Sequence, residues 1–201
     1  RLLDLGLALV LGLVLLPVGL ILSLLILLKE GRPVFYISER MKTVDQPFSL
    51  IKFRTMRPVA DSANAGVSGG DKADRVTPFF ARLRRLRLDE IPQLWNVIRG
   101  DMSFVGPRPP LRRYVVLYPD LYRQVLHNRP GITGLASLLF HAHEERLLAA
   151  CTTPKETEAV YTRRCIPRKA RLDLIYQRRR SLCFDLVLIL RTGTKLLPGR
   201  H

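Results

Sequence analysis

Acidic side chains are scarce in this chain: 17 Asp and Glu stand against 33 Lys and Arg, a formal net charge of +16. Such an imbalance excludes most cationic partners and calls for an anionic one: a phosphorylated substrate, an anionic lipid surface or nucleic acid. Cysteine is also sparse. Cys151, Cys165 and Cys183 are odd in number, far apart and without metal-ligand spacing, so they read as idle thiols of a reducing compartment. No His-x-x-x-His pair occurs, and His141 and His143 lie two apart, which suits neither face of a helix. Internal repeats and low-complexity tracts are missing. So are zinc-finger spacing, an RNP motif and aromatic-interleaved basic strands, which argues against nucleic acid.

Charge is absent altogether from Leu5 to Leu28. An apolar run of this length suits a bilayer, exceeds a signal peptide and is followed by no small-residue cleavage site. Pro17 lies near its middle, removes a backbone hydrogen bond and predicts a kink or break. Arg1 flanks one end and Lys29 and Arg32 the other, so the positive-inside rule finds little asymmetry. A kinked span and a hairpin that leaves by the leaflet it entered both fit.

Beyond Lys29 the chain is mixed and basic, and long enough for one domain with a sizeable core. Residues 31–41 and 47–56 read as short strands joined by a turn around Thr43–Gln46. Residues 60–78 are small, polar and Gly-rich, which predicts a mobile loop. A basic helix is expected over 79–88 and helix on both sides of Pro119 within 109–128. Residues 129–135 read as a turn, 137–170 as helix broken by loop, and 181–197 as an amphipathic helix with Ser181 as N-cap.

Between the basic helix and the next apolar stretch stand adjacent carboxylates, Asp89 and Glu90. The structural reading makes Asp89 the N-cap of a helix with Pro92 in its first turn, Ile91, Leu94, Trp95 and Ile98 on its buried face and Gly100 as its stop. Glu90 then only complements the helix dipole. The chemical reading rests on Lys52, Arg54, Arg84, Arg108 and Arg129, which fall in turns and strand ends. Arg108 is stiffened between Pro107 and Pro109 for bidentate phosphate binding. Basic neighbours keep carboxylates ionised, and an ionised carboxylate can hold Mg²⁺ or attack phosphorus.

In order, "PVFYISERM", "FSLIKFRTM", "LDEIPQLWNVIRGDMSFVGPRP", "RPGITGLA" and "SLCFDLVLILRT" resemble the bacterial sugar transferases, the monotopic phosphoglycosyl transferases, over nearly the whole chain. That resemblance implies an α+β fold. A re-entrant membrane helix hairpin (1–29), kinked at Pro17, would precede a small, mainly helical catalytic domain (30–201) with a short β-hairpin and amphipathic interfacial helices. It implies transfer of a phospho-sugar from a UDP-sugar to a polyprenyl phosphate such as undecaprenyl phosphate, with release of UMP, as the first membrane step of glycan assembly. Asp89 would be the nucleophile, Glu90 its partner and Mg²⁺ the cofactor held by both. The site would lie on the cytoplasmic face of a bacterial inner membrane, in the minimal catalytic form of the family.

The chain departs from the family in places. Where many members continue "GITGLA" with Gln-Val-Asn-Gly-Arg, this chain reads "SLLFHAHEER", with His141 where the arginine falls and Arg146 as a possible substitute. Asp173 matches a family aspartate before the last helix. Leu16 stands before Pro17, where a small polar residue is common. The competing readings are a basic membrane-surface protein that binds anionic lipid, supported by the arginines of 82–87 and by Arg178–Arg180, and a non-catalytic relative, opposed by the intact acidic pair. No sugar, glycan pathway or oligomeric state follows from the sequence.

Overall fold

The computed structural model describes residues 1–57 and 70–196. Helix α1 (Leu2–Glu30) runs without a break and contains Pro17. Proline deletes a single rung of the ladder, and the unbroken apolar sequence on both sides carries the helix past it. Ala8, Leu22 and Ile26 are buried, whereas Leu13, Val14 and Leu16 in the middle are exposed. Both ends are tied to the same body. Arg1 donates to the carbonyls of Val97 and Ile98, each at 2.7 Å. At the other end, Arg54 donates to the carbonyls of Glu30 and Gly31, again at 2.7 Å.

Strands β1 (Phe35–Met41) and β2 (Pro47–Phe53) form the expected antiparallel hairpin, with Tyr36 opposite Lys52 and Arg40 opposite Phe48. Its turn closes where Lys42 N–H donates to Gln46 O at 2.8 Å. The expected loop 60–78 falls largely outside the described residues; Gly70–Arg75 is a 3₁₀ turn. Helix α2 (Pro78–Arg85) starts at Thr77, whose hydroxyl accepts from Phe80 N–H at 3.3 Å.

The acidic pair differs from its capping expectation. Arg87 takes a left-handed conformation (φ 53°) and turns the chain into a 3₁₀ turn, Leu88–Glu90. Helix α3 begins later, at Gln93, with Pro92 at its N-cap and no side chain capping it. The 3₁₀ bond from Ile91 N–H to Leu88 O supplies a backbone partner where a cap was expected, which frees the Asp89 carboxylate. The later start also changes the helix's buried face. Leu94, Asn96 and Val97 are buried while Trp95 is 54% exposed. Asn96 stitches α3 to β2, donating to Ser49 O at 2.8 Å and accepting from Ile51 N–H at 3.1 Å. Gly100, at φ 87°, ends α3 as expected.

The stretch read as a turn at 129–135 contains a strand. β4 (Gly131–Thr133) runs parallel to β3 (Ser103–Val105). Gly106 and Gly131 let these backbones meet, since a Cβ on either would collide with the other segment's main chain. Helices α4 (Arg112–Leu117) and α5 (Pro119–Val125) flank Pro119. They share a core with α6 (Leu135–Ala149), α7 (Pro154–Val160), a π turn at Tyr161–Cys165 and α8 (Ile166–Arg178). Helix α9 (Leu182–Leu196) is capped by Ser181, which accepts from Phe184 N–H at 3.1 Å. It packs with α1, α3 and β3. The fold class is α+β, mainly helical, as expected.

Candidate active site

Asp89 and Glu90 are both buried, at 7% and 8% exposure. Glu90 is bracketed by arginines: Arg108 Nη2 lies 3.2 Å from Oε1 and Arg87 Nε 3.7 Å from Oε2. Among the described residues no hydrogen bond or ion pair occupies the Asp89 carboxylate. A cleft beside the pair is lined by Arg40, Lys52, Gln93, Arg108, Pro109 and Gly131. The hairpin register places Arg40, Leu50 and Lys52 on one face of the sheet, toward this cleft.

The environment drives the two carboxyls apart. Burial raises both. For Asp89 the charge of Glu90 adds to burial, and Lys52, Arg108 and Arg84 offset only part, so its pKa is raised. For Glu90 burial is outweighed by Arg108, Arg87 and Lys52, so its pKa is lowered. One carboxyl is therefore held ionised while the other is the stronger base and takes up a proton more readily. Burial brings Lys52 down to about 8, helped by repulsion from Arg108, Arg40 and Arg84 and opposed by Asp89. Burial and the neighbouring Arg108 lower Arg40 as well. Crowded cations of this kind are what a multiply charged anion would relieve.

Of the sequence candidates, the fold gathers Asp89, Glu90, Lys52, Arg84 and Arg108 into one electrostatic unit. Arg54 is spent on the carboxyl end of α1. Arg129 is exposed in the loop before β4. His141 lies at the margin, 3.5 Å from Glu145 and within the field of Arg87 and Arg108, and burial lowers its pKa. Asp173 is buried in α8 near Lys169 and the Ala136 amide, and one of its oxygens has no partner. The structure adds Arg40, Arg87, Gln93 and a half-buried Lys169–Glu144 pair at 2.9 Å, whose acid acts on Arg108. Arg40 stands inside "SERM", but only the hairpin register aims it at the cleft. The thiols of Cys151 and Cys165 are buried and that of Cys183 is exposed; all three are free.

Among the described residues no group of three or more His, Cys, Asp or Glu is placed to hold a metal. Mg²⁺ needs fewer, since it takes one or two carboxylates and completes its shell with substrate phosphate and water. The dyad fits that requirement: Glu90 Oε2 is buried and has no hydrogen-bond partner.

Asp173 supports a stability prediction. Burial lifts its pKa from 3.8 to about 7. Because the folded value is the higher one, the native state favours the proton. This contribution is complete below about pH 4 and lost as pH rises through about 7. Asp173→Asn, which cannot ionise, should melt above the parent at about pH 8 and close to it at about pH 4. A melting-temperature difference that does not change across that window would refute the buried-acid account.

The family model described as bacterial sugar transferase matches residues 1–199. The UDP-glucose:undecaprenyl-phosphate glucose-1-phosphate transferase of Caulobacter vibrioides is 36% identical over 202 residues, covering 98% of this chain and 69% of the relative. The enzyme of the same name from Xanthomonas campestris pv. campestris is 34% identical, covering 90% of this chain and 35% of the relative. The uncharacterized sugar transferase EpsL of Bacillus subtilis is 43% identical over 111 residues, covering 55% of this chain and 54% of the relative. The chain thus spans about a third to a half of the length of the last two relatives.

Proposed function

Because the chain belongs to the bacterial sugar transferase family, we propose that it is a phosphoglycosyl transferase that moves a phospho-sugar from a UDP-sugar to a polyprenyl phosphate. Undecaprenyl phosphate, the acceptor in the names of its relatives, is the acceptor we assign. The observation that carries this reading is the buried acidic pair, with opposed pKa shifts, beside a cleft lined by Arg40, Lys52 and Arg108.

An Asp89 oxygen attacks the sugar-bearing phosphorus. The bond from that phosphorus to the bridging oxygen breaks, and UMP leaves with the electron pair. The polyprenyl phosphate oxygen then attacks the same phosphorus and releases the Asp89 carboxylate. Glu90 stays ionised, and holds Arg108 beside the reacting phosphate. Lys52, Arg84 and Arg40 reduce the repulsion between carboxylate and diphosphate. Asp89 and Glu90 would hold Mg²⁺, which supplies further neutralisation of the diphosphate when bound.

The test is incubation with a panel of UDP-sugars, with UMP followed by single turnover. UMP should appear before acceptor is added, with a phospho-sugar adduct on the peptide containing Asp89. UMP release that strictly requires polyprenyl phosphate would replace the covalent route with direct transfer.

We assign α1 a re-entrant position, with the domain on the cytoplasmic face where UDP-sugars are made. An ideal straight helix of its 29 residues would be about 43 Å long and would carry Arg1 across the bilayer from Glu30. Arg1 instead bonds to α3, and Glu30 to Thr77 at 2.8 Å, on the same body. In intact cells, in a Cys183→Ser background, a cysteine added at the N-terminus should be protected from an impermeant thiol reagent. Pro17→Leu should favour spanning and expose it. Outside labelling of the Pro17 form would remove the re-entrant model.

A further inference from the structure

Asp4 lies in the first turn of an otherwise apolar helix, where a carboxylate is costly unless it is bonded. Its Oδ1 accepts from Ser103 Oγ at 2.8 Å and from Phe104 N–H at 3.0 Å. Beside it, Arg1 binds two carbonyls at the end of α3, where a helix leaves acceptors open. The fit is close: a Cβ on Gly100 would lie 3.1 Å from Arg1 Nη2. The first turn of α1 therefore grips the end of α3 and the start of β3. Those are the two pieces of chain that join Glu90 to Arg108, since Phe104 is followed by Val105, Gly106, Pro107 and Arg108.

The opposite end of α1 grips the other flank. Glu30 accepts from the hydroxyl of Thr77, and that hydroxyl caps α2, the helix that leads into Arg87 and the dyad. The membrane helix thus brackets the segment that carries both carboxylates and their arginine.

We propose that Asp4 is a positioning residue: by holding Ser103 and the Phe104 amide it sets the depth of β3, and with it the placement of Arg108 against Glu90. Docking of the membrane helix and assembly of the catalytic cleft are then one event. The effect on turnover rests on the phosphoglycosyl transferase reading; the effect on β3 does not.

The full chain in lipid nanodiscs is compared as native, Asp4→Ala, Asp4→Asn and Ser103→Ala. Two readouts are used: UMP release, and amide hydrogen exchange at Phe104 and its neighbours. Asp4→Ala should raise exchange at Phe104 by about tenfold or more. It should lower kcat by about tenfold while the donor KM stays within about twofold, because groups are misplaced rather than lost. Asp4→Asn keeps an oxygen acceptor and should recover most of both. Ser103→Ala removes one of the two bonds and should fall between. Loss of folding would lower all signals together, and Asp4→Asn and Ser103→Ala then decide. Unchanged exchange at Phe104, or a faster exchange with kcat intact, overturns the proposal. Should the native chain release no UMP from any UDP-sugar, the transferase reading falls, and exchange at Phe104 alone decides whether Asp4 holds β3.

Discussion

Asp89→Asn is expected to lower turnover by about a thousandfold or more, equivalent to about 4 kcal/mol of lost transition-state stabilisation. An amide is a poor nucleophile, and Glu90, the acid that acts on Asp89, is itself paired with Arg108. Steric disruption does not account for the loss: Asn matches Asp in shape, and no hydrogen bond or ion pair among the described residues holds this carboxylate. Glu90→Gln should leave more activity, because its loss frees Arg108 without removing the attacking oxygen. The phospho-sugar adduct should vanish in Asp89→Asn and persist in Glu90→Gln. Pelleting with anionic vesicles should be unchanged in both. Turnover of Asp89→Asn within about tenfold of the parent would assign the nucleophile elsewhere.

Arg108→Lys should cost about a hundredfold in kcat/KM, although charge is kept. The guanidinium spends Nη2 on Glu90 at 3.2 Å and retains other N–H donors for phosphate. A lysine has one ammonium at the end of a flexible stem, so it cannot serve both with the same planar geometry. Pro107 and Pro109 restrict the backbone on each side, which leaves little room for the segment to adjust. Arg85→Lys is the control. Arg85 is exposed on α2, and its replacement should change kcat/KM by less than about twofold. Equal activity of the two variants would take Arg108 out of the phosphate site.

Local physics made much of this molecule readable in advance. The charge-free run dictated α1, because only a long apolar helix satisfies its own backbone while exposing such a surface. Alternation and a polar turn dictated the β1–β2 hairpin. Ser181 and Gly100 marked helix ends, since caps act within a few residues of chain. The adjacency of Asp89 and Glu90, and the stiff Gly-Pro-Arg-Pro, were likewise plain in the sequence.

Tertiary structure decided what depended on distant segments. Asp89 was released from helix capping by the left-handed turn at Arg87, a conformation that a sequence pattern built on arginine does not signal. The β3–β4 pair joins segments nearly thirty positions apart by backbone contact through Gly106 and Gly131, which no local propensity encodes. Arg54 and Arg40 show the same limit. As cations beside strands they look alike in sequence, yet one neutralises the end of α1 and the other faces the cleft. Charge on a side chain is a property of the residue, whereas the group that charge acts on is set by packing, because Coulomb energy depends on a distance that the linear order does not contain.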